Sequence, residues 1–382
     1  MALKRTSIVS VLFRSCLLLA IFLTLGCSSL RAQQEEAVSE AESPTLTKAD
    51  VVAQAVKAAD AFLETLEQKQ LENAVYSFTD DKQRESWSNL PVARVPRGGL
   101  RWGDLSDPQK EAAMAILKAT LSENGVQQVV DNMNADEYLK RNSKRETSFG
   151  SDQYFLSFLG KPSTTSPWML QFGGHHLAIN VTVVGEEMTL SPSLTGGQPI
   201  DYEWEGKQVR QVAEEEDAAY ALIASLTEEQ LKKAVTADRY KNLRFGPKAR
   251  KIEPAKEGIC AADFDDDQTE LFEALIKSRI SVLNATHAAV EMKAITASLS
   301  ETWFSWQGPT NPGGDASYRI QGPKILMEYC PQRLGGIPTN HIHSMYRDPS
   351  NDYGLGFIEA QRARHNTAQG ISGSAVSPSP NQ

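Results

Sequence analysis

Three stretches of the chain place apolar residues at the spacing of an amphipathic helix. Residues 48–75 predict one helix over their whole length. A second helix is predicted from the cap Ser106, with Pro108 in its first turn and Gly125 just past its end. The longest, residues 268–298, carries a single apolar stripe. That stripe consists of Phe272, Ile276, Ile280, Leu283, His287 and Val290.

Strand-like alternation dominates the centre and the C-terminal part of the chain. The predicted strands are "HLAINVTVVG" at 176–185, which turns into "EMTLSP", then "SYRIQG" at 317–322, "KILMEYC" at 324–330 and "HIHSMYR" at 341–347. Helices therefore gather early and in the middle of the chain, and strands gather centrally and near its end. This order predicts an α+β fold with a mainly antiparallel sheet rather than regular βαβ units.

The first 27 residues predict an export signal of the lipoprotein kind. Basic residues precede an apolar stretch that is too short to span a membrane comfortably, and Cys27 follows it after a small residue. Cys27 is the expected lipidation site. The chain is thus expected in the periplasm or cell envelope, as an outer-membrane lipoprotein or otherwise as a secreted protein.

The remaining chain divides by composition. Residues 28–47 are polar and acidic, which predicts a flexible tether. Residues 48–365 have no linker-like break and predict a single globular domain. Residues 366–382 are rich in Gly, Ser and Pro and predict a disordered tail.

The charge balance limits the partners. The chain has a formal net charge of −9, and the lost signal would take basic residues with it. Nucleic acid is therefore excluded as a partner, and the membrane is expected to be contacted only through the N-terminal anchor. A small-molecule substrate or ligand remains the expected partner. Cys260 and Cys330 are far apart in sequence, so their pairing in a disulfide is left open.

Several motifs resemble those of one family of domains of unknown function, DUF3500. They are "ESWSNLP", "RGGLRWGDLS", "YFLSFLGKPS", "WMLQFGGHHLAINVTVV", "FSWQG", "YRIQGPKILMEY" and "NHIHSMYRDPSNDYG", in this order along the chain. The resemblance covers roughly residues 50–365. It implies a domain identity and little about mechanism, so the chemistry is argued from the residues.

Four of the six histidines lie in two short motifs. In a strand, His341 and His343 share one face about 7 Å apart and can reach one metal ion. In the other motif the alternation puts His175 on an apolar face with Leu177 and Ile179, and His176 on a polar face with Asn180. His176, His341 and His343 are therefore the predicted ligands of a divalent ion such as zinc, copper or iron.

Carboxylates and arginines complete the predicted site. Glu328 or Asp348 is the candidate general base, and Arg319 or Arg347 the candidate clamp for an anionic substrate. Asn180 and Arg101 are further candidate substrate contacts.

The residues favour a metal-dependent hydrolase that acts on a small polar or anionic substrate. The same ligands suit a copper or iron redox enzyme. A metal-free site with a histidine base, a bonded histidine network without chemistry, and a non-catalytic binding protein for an anionic or carbohydrate ligand are the alternatives. His287, on an apolar helical stripe, is interpreted as a core histidine.

Overall fold

The fold is built on one large, mainly antiparallel sheet with helices packed against it, which confirms the predicted α+β class. The computed structural model describes residues 46–143, 148–236, 242–249, 253, 255–333 and 337–372. The predicted signal, Cys27 and nearly all of the predicted tether lie outside these residues. Within the described part of the chain, no helix is both long and apolar enough to cross a membrane.

The strands follow the predicted positions closely in the C-terminal part of the chain. They are β1 (Val75–Tyr76), β2 (Leu100–Arg101), β3 (Phe155–Leu159), β4 (Trp168–Gly173), β5 (Leu177–Val184), β6 (Glu187–Thr189), β7 (Ser193–Gly197), β8 (Asp201–Trp204), β9 (Lys207–Arg210), β10 (Ile259–Cys260), β11 (Trp303–Gln307), β12 (Ser317–Gln321), β13 (Leu326–Pro331) and β14 (Ile342–Arg347).

The large sheet has twelve strands in the order β1-β3-β4-β5-β7-β14-β13-β12-β11-β10, with β2 beside β3 and β6 beside β5. Among the strands named above, which cover the described residues, β1–β3 is the only parallel pair. Strands β8 and β9 form a separate hairpin. The two halves of the sheet meet at β7, which pairs with β5 on one side and β14 on the other.

The helices depart from prediction where a cap interrupts a long apolar pattern. They are α1 (Lys48–Glu64), α2 (Gln68–Ala74), α3 (Asp81–Arg84), α4 (Asp107–Thr120), α5 (Glu123–Asn142), α6 (Ala213–Ser225), α7 (Glu228–Ala234), α8 (Asp266–Ile280), α9 (Ala285–Thr296) and α10 (Leu355–Ser372). The predicted helix over 48–75 breaks where Glu67 caps α2. The predicted helix over 268–298 breaks where the Asn284 side chain caps α9.

Three further features differ from the predictions. Gly125 does not follow the end of a helix but lies in the first turn of α5, where its backbone N–H donates to the capping side chain of Ser122. A β-carbon there would stand 2.2 Å from the carbonyl oxygen of Val282, so glycine fits this close approach. Val290 is 47% exposed and leaves the predicted apolar stripe, since the break before α9 changes which face is buried. Helix α10 also continues to Ser372, into the predicted tail, because residues 360–369 contain neither Gly nor Pro.

The two faces of the sheet are covered differently. One face packs against α1, α4, α6, α8 and α9 in the main apolar core. The other carries smaller clusters, one of which joins Trp87, Ala178, Leu194 and Met345. Side chains of β14 alternate between them: Ile342 and Tyr346 enter the main core, and Met345 the smaller cluster. Cys260 and Cys330 are not joined in a disulfide.

Candidate metal centre

Three histidine rings form a nearly equilateral triangle at the edge of β14. The ring centroids of His176 and His341 are 4.9 Å apart, those of His176 and His343 5.0 Å, and those of His341 and His343 5.0 Å. The Nε2 atoms of His176 and His341 lie 3.0 Å apart. The two histidine motifs therefore meet in space although His176 and His341 are 165 residues apart in the sequence, as the metal hypothesis requires.

Strand β14 supplies two of the rings. His343 lies within the strand, and His341 directly precedes it. The carbonyl of His341 accepts a hydrogen bond from the backbone N–H of Gln332 at 2.6 Å, which continues the pairing with β13. Because Ile342 points into the main core, the rings of His341 and His343 share the opposite face, as predicted.

The third ring comes from the tight turn between β4 and β5. Gly174 donates its backbone N–H to the carbonyl of Leu177 at 3.0 Å, and His176 has a φ of 60°. Strand β5 begins only at Leu177, so the predicted strand register did not extend to the two histidines. The left-handed turn, not strand alternation, sets the directions of the two side chains, and their rings lie side by side with centroids 3.6 Å apart instead of on opposite faces of a strand.

Strand β7 ends in two glycines between the parts of the site. Gly196 pairs directly with His343 and Gly197 with Ile342. A β-carbon on Gly196 would lie 2.3 Å from the carbonyl oxygen of Ile342. Glycine at this position therefore lets β7 lie close to β14 where the rings gather.

Burial favours the uncharged form of two of the three rings. His176 and His343 are each 4% exposed, and His341 is 8% exposed. Burial lowers the pKa of His176 well below its usual range, and the neighbouring rings of His175, His343 and His341 lower it further. Burial, followed by His341 and His175, likewise lowers the pKa of His343. Neutral imidazoles are the form that binds a metal ion.

A second layer of side chains holds the rings, and sequence reasoning missed it. His175 Nδ1 lies 2.7 Å from Asp136 Oδ1, and its ring centroid is 3.6 Å from that of His176. Asp136 also accepts the backbone N–H of Gly150 at 3.0 Å. Nothing in the pattern of α5 distinguished Asp136 from its other polar residues.

Asn89 supports His343. Its Nδ2 lies 3.1 Å from His343 Nδ1, and His343 Nε2 is buried without a hydrogen-bond partner among the described residues. Because rotation exchanges the two ends of an amide, Asn89 Oδ1 can accept from Nδ1–H and leave Nε2 free as a ligand. The sequence analysis did not single out Asn89, and its place in the motif "ESWSNLP" is the one signal that could have drawn attention to it.

The donor set fits a transition metal. One ligand nitrogen from each of the three histidines can be chosen so that all lie within 4.8 Å of one another. A tetrahedral zinc ion, with bonds of about 2.0–2.1 Å, spaces its ligand nitrogens roughly 3.3 Å apart. The Nε2 atoms of His176 and His341 are already near that spacing. This buried group can therefore hold a metal ion.

The predicted general base Glu328 is engaged elsewhere. Its Oε1 accepts two hydrogen bonds from Arg319, at 2.9 and 3.2 Å, and its Oε2 accepts the backbone N–H groups of Arg244 and Phe245 at 2.9 and 3.0 Å. The pair ties the segment 242–249 to the sheet. The catalytic role of Glu328 and the clamp role of Arg319 stay predictions without geometric support.

Arg347 and Asp348 lie at the opposite end of β14 from the histidines. Arg347 donates to the carbonyl of Ala249 at 2.8 Å and lies between the rings of Trp87 and Tyr353. Asp348 accepts from the backbone N–H and hydroxyl of Ser350, at 2.8 and 2.7 Å. Neither residue joins the triangle.

The last two candidate contacts also have other partners. Asn180 donates to the carbonyl of Pro192 at 2.9 Å and accepts from Gln171 at 3.1 Å. Arg101 pairs with Asp104 at 2.8 Å and with Asp152. Their predicted roles in substrate binding remain untested.

His287 behaves as a core histidine. It is 2% exposed, and its two ring nitrogens lie 3.0 Å from Asn284 Oδ1 and 2.9 Å from the carbonyl oxygen of Glu186. Both ring nitrogens lie against oxygen atoms of the protein, so neither is directed at a place where a metal ion could bind.

Comparison with known proteins gives a family and no described chemistry. No curated protein matches the chain, and no solved structure matches it. The model of the family described as "Protein of unknown function (DUF3500)" matches residues 48–355, a span that includes all three histidines of the triangle. The chain therefore belongs to the DUF3500 family.

Proposed function

We propose that His176, His341 and His343 bind a divalent transition metal and that the protein is a metal-dependent hydrolase. The observation that carries the proposal is the triangle of three buried imidazoles with nearly equal centroid distances of 4.9–5.0 Å. Histidine ligands suit zinc, copper and iron. Three protein ligands leave one coordination position for water or substrate.

The charge of the donor set supports hydrolytic chemistry. Three neutral imidazoles leave the full charge of a divalent ion uncompensated, and such an ion lowers the pKa of bound water to about 7. The metal would thus supply a nucleophile at neutral pH without a carboxylate beside it. Glu328 and Asp348 are therefore not required as proton acceptors.

The surroundings favour a small substrate. The three rings are at most 8% exposed, so only a small molecule can approach them. Asp136 and His175 support one side of the site, and Asn89 supports His343. A buried site strengthens the polarising effect of the ion on a polar or anionic substrate.

Metal analysis of the purified protein tests the proposal. After exposure to zinc, copper or iron and removal of free ion, the wild type should hold one ion per chain, and His341→Ala should hold almost none. The zinc form should cleave p-nitrophenyl acetate or bis(p-nitrophenyl) phosphate faster than the His341→Ala protein. Failure to bind any of the three ions would refute the metal site. A bound copper or iron without hydrolysis would refute the hydrolase and favour a redox enzyme.

We also propose that the chain is exported and anchored through Cys27. The support is the basic and apolar order of residues 1–27. Cys27→Ala should block lipidation, so that the unprocessed precursor accumulates in membrane fractions. Normal processing and membrane attachment of this variant would contradict the lipoprotein assignment.

A further inference from the structure

A polar cavity lies on the other side of the sheet from the histidine triangle. It has a volume of about 180 Å3. Its walls come from α5, from the loop just before α6, from the first turn of α6 and from Ser278 of α8. Asn124 and Glu214 are exposed at its rim, where the Asn124 side chain donates to Glu214 at 3.4 Å. The volume far exceeds the roughly 10–15 Å3 that one water molecule requires.

Two amide oxygens in the cavity wall lack partners. Asn132 and Gln211 are 2% and 5% exposed, and neither Asn132 Oδ1 nor Gln211 Oε1 has a hydrogen-bond partner within the described ranges. Their nitrogens donate to the carbonyls of Gln128, at 2.9 Å, and Pro199, at 3.2 Å. Rotating either amide would leave a carbonyl without its donor, so both oxygens are held in place as unused acceptors.

Unused donors lie beside the same wall. Arg279 is 2% exposed and makes one hydrogen bond, from Nη2 to the hydroxyl of Ser193 at 3.1 Å, while its Nε and Nη1 have no hydrogen-bond partner in the described structure. Its nearest carboxylate, Glu215 in the cavity wall, stands 4.0 Å away. That carboxylate instead accepts from the hydroxyls of Tyr318 and Ser344, at 2.6 Å each.

Two buried amide oxygens without hydrogen-bond partners are costly unless a ligand or water donates to them. A ligand that meets them must donate hydrogen bonds. The carboxylates of Asp131, Glu214 and Glu215 disfavour an anion in this cavity, and Arg279 disfavours a cation. Hydroxyl groups donate and accept without carrying charge.

We propose that this cavity binds a small neutral polyhydroxylated molecule, either a polyol or a simple sugar. The site is separate from the histidine triangle, because Ser344, which bonds to Glu215, points to the face of β14 opposite to that of His343. The inference therefore stands or falls independently of the metal proposal.

Ligand-observed NMR on the whole protein tests this assignment with glycerol, xylitol and D-glucose as probes. NMR is chosen because sugars stabilise proteins nonspecifically by exclusion, which makes a melting shift ambiguous. The wild type should show saturable binding of at least one probe. Acetate and putrescine, which carry opposite charges, should bind much more weakly than that probe.

Two variants locate the binding. Gln211→Met removes one unused acceptor at nearly constant volume and should weaken binding about tenfold or more. Asn124→Trp places a large ring on the exposed rim, where it does not disturb packing, and should block entry even if the first variant folds poorly. Gln68→Met and Asn142→Trp make the same changes at exposed positions away from the cavity and should bind like the wild type.

The proposal is overturned if no neutral probe binds saturably to the wild type, which would mean that the cavity holds only water. Preferential binding of acetate or putrescine would overturn the ligand class. Binding that survives both Gln211→Met and Asn124→Trp would place the ligand elsewhere.

Discussion

The backbone of His176 has a φ of 60°, in the left-handed region that is costly for a residue with a β-carbon. The turn Gly173–Gly174 before it brings β4 back to β5, and the left-handed residue aims the ring at His341. His175 next to it reaches Asp136 on α5 instead. One turn therefore gives adjacent histidines two different tasks, a proposed ligand and its support.

These tasks predict different failures. His176→Gly should remove the metal ion, and it should cost the metal-free protein less stability than His175→Ala does, because relief of the positive φ offsets part of the cost of the lost ring. His175→Ala leaves a cavity beside the His176 ring and removes the ring bonded to Asp136, so it should destabilise the fold by about 2–4 kcal/mol. Thermal melts in chelator and metal analysis measure the two effects. A His175→Ala protein as stable as the wild type would contradict the supporting role.

Residue chemistry visible in the sequence identified the three histidines, but not what surrounds them. Alternation around Ile342 was sufficient to place His341 and His343 on one face. The partners Asp136 and Asn89 come from a helix and a loop whose docking depends on tertiary packing. The hydrogen bonds that Glu328 accepts from Arg319 and from two backbone N–H groups could not be predicted either, because local sequence patterns do not show which charged groups the fold brings together.

At the scale of elements, β14 organises both faces of the molecule. His341 directly precedes the strand, and His343 is its second residue. Further along the strand, the hydroxyl of Tyr346 donates a hydrogen bond to Glu291 of α9. The alternation of this strand was readable in the sequence. The capped breaks before α2 and α9 were not anticipated, because the apolar spacing continues across them while Glu67 and Asn284 begin new helices.

The contact between α9 and β14 predicts a pH dependence. Burial, together with the nearby Asp348, raises the pKa of Glu291 from 4.5 to about 7. Between these values the unfolded chain has lost this proton and the folded chain has kept it, so the free energy of unfolding falls as the pH rises from about 4.5 to 7. Glu291→Gln keeps the acceptor for Tyr346 and cannot ionise.

The Glu291→Gln variant should therefore be more stable than the wild type above neutral pH, by on the order of 1–3 kcal/mol, with little difference in acid. Urea unfolding across this pH range measures the difference. The exposed carboxylate of Glu64 provides the control, since Glu64→Gln should follow the wild type at every pH. A wild type that gains stability from acid to neutral pH relative to Glu291→Gln would show that the sign is wrong.

At the scale of the whole molecule, the candidate metal centre lies at the seam of the sheet. Strand β7 joins the β1–β5 part to the β14–β10 part, and its pairing with β5 is limited to Leu177 and Ala178. The triangle spans this seam, because His176 precedes β5 and the other two rings belong to β14. The fold class was predictable from the order of helical and strand patterns, but this adjacency of distant strands is a long-range property of the sheet.

A metal ion at the seam would cross-link the two parts of the sheet, so removing it should affect global stability. An ion bound only by the folded state stabilises it by about 2.7 kcal/mol when its free concentration is a hundred times the Kd. We therefore expect that chelator lowers the melting temperature of the zinc-loaded wild type by several degrees, since a few kcal/mol correspond to a shift of roughly that size.

His343→Ala should melt at the same temperature with and without chelator. The exposed His365→Ala keeps the triangle intact and should lose stability in chelator as the wild type does. An identical response of His343→Ala and the wild type would mean that any bound ion lies away from the seam, and that the three rings only pack against one another.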